Sequence, residues 1–249
     1  MPTPDPADRP YDVVLFGATG FVGRLTARHL AAHADDSTRI ALAGRSSSRL
    51  EEVRAELGGA AADWPLIVAD VNEPDTIVAL AEQTRVVATT VGPYARWGLP
   101  LVEACAGAGT HYADLTGEVL FVRDSIDRFH DVAAASGARI VHSCGFDSVP
   151  SDLAVMVAAR EADTRHGDPL AEATLVVVSA KGGVSGGTID SIRNQVAVMA
   201  ADPAKRSIGA DPYALSPARS SEAAPGPQRD VGAPRSDPRW RTWGAPVVT

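Results

Sequence analysis

The stretch Tyr11-Asp-Val-Val-Leu-Phe-Gly17-Ala-Thr-Gly20-Phe-Val-Gly23 constrains the fold of this chain more than any other. An apolar run, Val13 to Phe16, ends in three glycines spaced three apart, and Val22, Leu25, Thr26 and Leu30 follow at helical spacing. The order is strand, tight turn, helix N-terminus. Free N–H groups and the positive end of a helix dipole then converge on one point, as a dinucleotide pyrophosphate requires. Gly17 is expected to make the turn, Gly20 to let the backbone approach phosphate, and Gly23 to let helix and strand pack closely. Glycine triplets also arise by chance, so position is what gives this one weight: it follows a credible strand near the start of the chain.

Short apolar strands alternate with helical patterns through residue 150. Strands are expected over residues 12–16, 39–43, 66–69, 86–90, 111–114 and 139–143. Helices are expected over 21–33, 49–57, 73–83, 99–108 and 119–136, the last repeating Val119, Val122, Ile126, Phe129 and Ala133. Such alternation implies right-handed crossovers and a parallel sheet covered on both sides. The expected class is α/β: a Rossmann-like doubly wound sheet over 11–150, after a disordered N-terminus of residues 1–10. Residues 151–200 read as the opening of an incomplete α+β second domain. They hold a helix at 153–162, a β-rich run at 173–180, a glycine-rich loop from Lys181 to Thr188 and an amphipathic helix at 189–199. Residues 201–249 contain eight prolines and no sustained periodicity, and read as a largely irregular tail. The chain stops at an apolar segment around Trp240 and Trp243, which reads as an interruption.

Charge and composition exclude several functions. The net charge of −8 resides in residues 1–150, where 12 arginines face 20 acidic residues. No basic patch stands out, and Trp64, Trp97, Trp240 and Trp243 show no stacking pattern, so nucleic acid is not an expected partner. Cys105 and Cys144 form no CxxC pair, and both fall in segments that read as buried, which suits thiols in a reducing cytoplasm. Neither a signal peptide nor an apolar run of roughly 18 residues is present, so no transmembrane segment is expected. The expectation is a cytoplasmic protein, with peripheral membrane association and oligomeric state left open. His29 and His33 stand one helical turn apart but lack a third ligand, so no metal is expected.

The end of the second strand selects the nucleotide. An NAD site places Asp or Glu there to bind the ribose 2′-hydroxyl. This strand ends in Gly44-Arg45-Ser46, and the nearest acid downstream is Glu51. Arg45 forking onto a 2′-phosphate, with Ser46 adding a hydroxyl donor, points to NADP. Asp70, closing the third strand, is placed either to accept from the adenine amino group or to cap the next turn. The fourth strand runs into Gly92-Pro93-Tyr94, where backbone comes close to something and turns away. Tyr94 either orients the nicotinamide or substrate, or caps the sheet. The expected cofactor site is therefore Gly17, Ala18, Thr19, Gly20, Phe21, Val22, Gly23, Arg45, Ser46, Asp70, Gly92, Pro93 and Tyr94.

Several segments together resemble one family. They are Gly17 to Gly23, Val91-Gly-Pro-Tyr94, His111-Tyr-Ala-Asp-Leu-Thr-Gly-Glu118, Gly145-Phe-Asp-Ser-Val-Pro-Ser-Asp152 and Gly186-Gly-Thr188. In this order, over roughly residues 11–200, they resemble the saccharopine dehydrogenase-like oxidoreductases, and most closely their trans-acting enoyl reductase branch. The resemblance implies an NADPH-dependent reductase of unsaturated acyl chains made by a polyketide synthase, on the way to cell-envelope lipids. It also implies a longer protein, so that this chain reads as truncated at its C-terminus.

Enoyl reduction needs a hydride at one alkene carbon, stabilisation of the developing oxyanion, and a proton for the other carbon. Lys181 in its glycine-rich loop is a candidate to bond an acyl carbonyl or carrier phosphate, or else a solvated lysine in a turn. Tyr112, Asp114 and Asp147 are candidate acids or orienting groups, although an Asp in a Gly-Phe-Asp-Ser turn commonly caps backbone. His142 within an apolar strand reads as a satisfied core residue, and Cys144 as an unreactive thiol. No catalytic residue is assigned. Two other readings stay open from the residues alone: a nucleotide-binding sensor or partner module without turnover, and an inactive fragment.

Overall fold

The structure, a computed structural model, describes residues 8–170, 173, 175–176, 186–217, 231–232 and 247–248. Its described residues divide into two compact units. The first holds residues up to Cys144 together with Gly186–Leu215.

Six strands form the sheet of this unit: β1 (Tyr11–Phe16), β2 (Ile40–Gly44), β3 (Leu66–Val68), β4 (Thr84–Thr89), β5 (His111–Ala113) and β6 (Ile140–Val141). They lie in the order β3-β2-β1-β4-β5-β6, and every neighbouring pair is parallel. The helices between them are α1 (Phe21–His33), α2 (Ser47–Leu57), α3 (Pro74–Glu82), α4 (Tyr94–Ala108) and α5 (Val119–Ser136). The expected doubly wound sheet is therefore present. Side chains alternate across a strand, and the pattern divides the core in two. Val14, Phe16, Ala41 and Ala43 pack beneath α3, α4 and α5 with Ile77, Leu80, Leu101, Val102 and Phe121. Leu15 and Leu42 point to the opposite face, where α1 and α2 supply Ala27, Leu50 and Val53.

Three differences from the sequence reading have physical causes. Residues 8–10 do not belong to a disordered N-terminus, because Arg9 is fully buried at the amino edge of the sheet. Its guanidinium donates to the carbonyls of Thr84 (2.6 Å) and Ala108 (2.5 Å) and to Thr110 Oγ1. It sits where α4 ends, so the negative end of that helix dipole favours the cation. Next, α4 begins at Tyr94 rather than Leu99, with Pro100 carried inside it. A carboxylate distant in sequence, Glu118, supplies the acceptors for its first turn. Finally, the irregular reading of 201–249 fails at its start, where α8 (Pro203–Gly209) follows α7 (Gly186–Ala201). Asp202 caps α8 by accepting from the N–H of Ala204, and Lys205 pairs with Asp124 of α5 at 2.7 Å. Ser191 of α7 donates to Glu118, which explains why residues 186–215 group with the first unit.

The second unit, taken by itself, contains α6 (Val149–His166) and three short strands, β7 (Leu175–Val176), β8 (Val231–Gly232) and β9 (Val247–Val248), paired antiparallel in the order β7-β9-β8. Asp152 lies in the first turn of α6 and Arg165 and His166 in its last, which complements its dipole. Among the described residues no helix is long and apolar enough to cross a membrane.

At the amino edge of the sheet Asp12 joins three strands. Its carboxylate accepts from the backbone N–H, Nε and Nη2 of Arg39 at 2.9–3.0 Å, and from Arg85 at 3.3 Å. Hydrogen bonds from Arg39 hold the Asp12 carboxyl well below the usual carboxylate range. A depressed folded value contributes stability that is complete above the unfolded value of about 4 and is lost as pH falls below it. Asp12→Asn is therefore expected to cost about 1 kcal/mol at pH 7. The difference from the parent should shrink at pH 3, as read from urea midpoints at the two pH values.

Candidate nucleotide site

The strand order reverses between β1 and β4, and a cavity of about 270 Å³ opens there at the carboxyl ends of the strands. It is lined by Phe16 at the end of β1, Gly17, Thr19 and Gly20 after it, Gly44 and Arg45 at the end of β2, Val71 and Asn72 after β3, Thr90 to Gly92 after β4, and Trp97 in α4.

Each glycine of the turn has a distinct physical reason. Gly17 has φ +90°, and a β-carbon there would lie 2.7 Å from Val91 Cγ2 and 2.8 Å from Thr90 Oγ1. A β-carbon at Gly23 would lie 2.0 Å from the Gly17 carbonyl oxygen, so α1 meets the turn backbone to backbone. Gly20 is the N-cap of α1 and offers no side-chain cap. The first helical bond is Arg24 N–H to the Gly20 carbonyl, so the N–H groups of Phe21, Val22 and Gly23 open the helix beside the cavity. Arg45 is exposed, lines the cavity, and has no carboxylate partner among the described residues. These features fit a dinucleotide phosphate: a backbone cradle in the turn and a cation at the end of β2.

The cavity does not gather every residue read from the sequence. Gly17, Thr19, Gly20, Arg45 and Gly92 line it; Ala18, Phe21, Val22, Gly23, Ser46, Asp70, Pro93 and Tyr94 are not among its lining. Ala18 is fully buried, and its N–H is taken by the Ala43 carbonyl. The Ser46 hydroxyl caps α2 by accepting from the N–H of Arg49. Asp70 caps the turn after β3, its Oδ1 accepting from the N–H and Nδ2 of Asn72 at 2.9 and 2.8 Å. Tyr94 is buried in the core, with its hydroxyl donated to the Thr89 carbonyl, and burial raises its phenol far above the ordinary value. Trp97, Asn72, Val71 and Thr90 are cavity residues that the sequence reading passed over. The signal was weak: each lies one to three residues from a position that was noticed.

Beyond the cavity, the segment Tyr112 to Glu118 carries a buried polar network. Asp114 is 2% exposed and accepts at both oxygens. Oδ1 takes the N–H groups of Thr116 and Ser143, each at 3.0 Å; Oδ2 takes the Tyr112 hydroxyl at 2.9 Å and His142 Nδ1–H at 2.7 Å. His142 Nε2 lies 2.9 Å from Ser125 Oγ, so this histidine is satisfied, as read. Ser125 is 2% exposed, which makes the series a lock between β5, α5 and β6 rather than a nucleophile with access to substrate. Burial and the Asp114 carboxylate together hold the Tyr112 phenol well above its ordinary value, so it stays a donor. Ser143 adopts φ +58°, held by its N–H bond to Asp114 and its hydroxyl bond to the Thr116 carbonyl. Cys105 is buried as expected, but Cys144 is exposed, because the chain has left β6 two residues before it. Asp147 lies exposed in the turn before α6. His29 and His33 stack with centroids 4.3 Å apart on the exposed side of α1. Lys181, with the loop up to Ser185, lies outside the described residues, as do Trp240, Trp243 and most of the expected 173–180 run.

A family model described as the saccharopine dehydrogenase NADP-binding domain matches residues 13–141. Trans-acting enoyl reductases of Mycobacterium tuberculosis and Mycobacterium leprae are each 52% identical over 226 residues, covering 90% of this chain and 54% of theirs. The chain thus spans about half the length of the curated relatives it matches. Among solved structures, saccharopine dehydrogenase (L-Glu forming) from Saccharomyces cerevisiae aligns with a TM-score of 0.48 and 17% identity, over 63% of this chain and 32% of that one.

Glu118 gives this site a testable support. It is 1% exposed, and its oxygens accept from the N–H groups of Tyr94 (2.8 Å) and Ala95 (3.0 Å) and from the Ser191 hydroxyl (2.7 Å). Glu118→Gln turns an amide N–H₂ toward donors, and is expected to cost about 2–3 kcal/mol in urea denaturation.

Proposed function

Since the chain belongs to the saccharopine dehydrogenase NADP-binding domain family, we propose that it is the nucleotide-binding part of an NADPH-dependent enoyl reductase. The observation that carries this reading is Arg45, an exposed cation that lines the same cavity as the Gly17–Gly20 turn. On this reading the N–H groups that open α1 hold the pyrophosphate, and Arg45 forks onto the 2′-phosphate, where an NAD site would carry an acid. Gly92 and its neighbours after β4 border the nicotinamide side. When bound, NADPH supplies a hydride to one alkene carbon; a proton reaches the other carbon, and the C=C bond becomes a single bond while the nucleotide is oxidised. This chain's own residues bind and orient.

The relatives' names support an acyl substrate, and the reading extends to free or carrier-bound enoyl chains delivered by a polyketide synthase in the cytoplasm, for lipid assembly. The lock of Tyr112, Asp114 and His142 supports it further, since it fixes the carboxyl ends of β5 and β6, on the side of the sheet away from Arg45.

Titration with NADPH and NADH tests the reading. The parent chain should prefer NADPH, and Arg45→Ala should weaken NADPH roughly tenfold or more while leaving NADH nearly unchanged. Equal losses for both nucleotides would remove the argument from Arg45. Oxidation of bound NADPH by an enoyl thioester separates a reductase from a module that binds without turnover.

A further inference from the structure

Helix α4 has no cap of its own. Pro93, the residue before it, offers no side-chain bond to the helix, so its first N–H groups depend on an acceptor from elsewhere. Glu118, 24 residues from Tyr94, takes the N–H of Tyr94 at Oε1 and that of Ala95 at Oε2. A carboxylate at the positive end of a helix dipole makes both bonds stronger than a neutral cap would. Oε1 also accepts the hydroxyl of Ser191, from α7, at 2.7 Å. We propose that Glu118 is a positioning residue for the nicotinamide half of the nucleotide, and that Ser191 lets α7 govern it. The proposal rests on the NADPH reading above and names what keeps that end of the site in place.

Three observations carry it. The first is the shortness of the link between β4 and α4. It consists of Thr90 to Pro93, and Thr90, Val91 and Gly92 line the cavity. Its β4 end is tied to the glycine turn, where the Thr90 N–H donates to the Phe16 carbonyl at 3.0 Å and its hydroxyl to the Gly17 carbonyl at 3.1 Å. At its α4 end Glu118 holds Tyr94, two residues beyond Gly92. So short a segment has little freedom while both ends are fixed, and gains it at Gly92 once the second is released. The second observation is how Glu118 is itself held. Its N–H donates to Thr116 Oγ1 at 3.1 Å, and its carbonyl accepts from the Val122 N–H of α5 at 3.1 Å. The backbone is therefore set, and rotation of the side chain is what the Ser191 hydroxyl restrains. Helix α7 is tethered in turn, because Lys205 of the adjoining α8 pairs with Asp124 of α5. The third observation is a pivot. A β-carbon at Gly98 would lie 2.5 Å from the Phe121 ring, so α4 rests directly on α5 just past its first turn. Loss of the cap then moves Tyr94 to Trp97 and the link before them, while the rest of α4 stays seated.

The probes are NADPH and adenosine 2′,5′-bisphosphate, which keeps the 2′-phosphate and lacks the nicotinamide half, titrated into the 249-residue chain by calorimetry. Ser191→Ala leaves the carboxylate in place with one donor fewer. It should weaken NADPH about threefold or more and leave the bisphosphate nearly unchanged. Ser191→Thr, which keeps the hydroxyl, should recover most of that loss. Glu118→Gln should show the same selective loss, and a larger one, at a temperature where circular dichroism finds it folded. The ratio of the two affinities does not respond to a general loss of folding, so it isolates the nicotinamide end. Equal losses for both probes, or a parent-like ratio in Ser191→Ala, overturn the proposal and leave the NADPH reading intact. A parent chain that does not bind NADPH overturns that reading, and this proposal with it.

Discussion

The contact between Gly23 and the Gly17 carbonyl is the constraint on which the nucleotide-binding unit depends. A β-carbon at residue 23 would stand 2.0 Å from that oxygen, so the first crossover exists only because the helix presents bare backbone to the turn. The contact fixes where α1 begins and therefore where its unpaired N–H groups emerge. It also sets how closely β4 approaches, since Thr90 donates its hydroxyl to the same Gly17 carbonyl at 3.1 Å. Close packing and the cavity have one origin. Overpacking such a junction forces backbone shifts rather than side-chain adjustment, which is the costly kind.

Around this junction three buried ionic side chains hold the edges of the sheet. Arg9 gathers carbonyls at the amino edge, while Asp114 and Glu118 gather donors at the carboxyl edge. Each is surrounded by backbone groups that a crossover leaves without regular partners. A charged partner makes those hydrogen bonds stronger than neutral ones would be, and removal would strand several groups at once. Glu118 does more than close a helix end, because Ser191 binds the same carboxylate. A residue from late in the chain is thus tied to the turn that borders the cavity.

The sheet was legible because its strands are short apolar runs at crossover spacing, and α1 and α5 were readable to their ends from helical periodicity alone. The glycine turn was legible for the same reason, since each glycine answers a local steric demand. Residues whose role depends on a distant partner were not. Arg9 looked like part of a polar leader, although its acceptors lie 75 to 101 residues away. Trp97 and Asn72 are 25 positions apart and share a wall only through the packing of α3 on α4. Asp70 was noticed for its position at a strand end, but local chemistry claims its carboxylate for Asn72.

By itself the sequence determined the class of fold, the strand–turn–helix at its start and the cation that ends the second strand. These follow from periodicity and from glycine stereochemistry, which act within a few residues. Only the tertiary structure decided which side chains face the cavity, where α4 begins, and that the 186–215 segment packs with the first unit. The physical reason is range. Local sterics and alternation are written in neighbouring residues, whereas a buried carboxylate such as Glu118 takes its role from donors that folding alone brings within hydrogen-bonding distance.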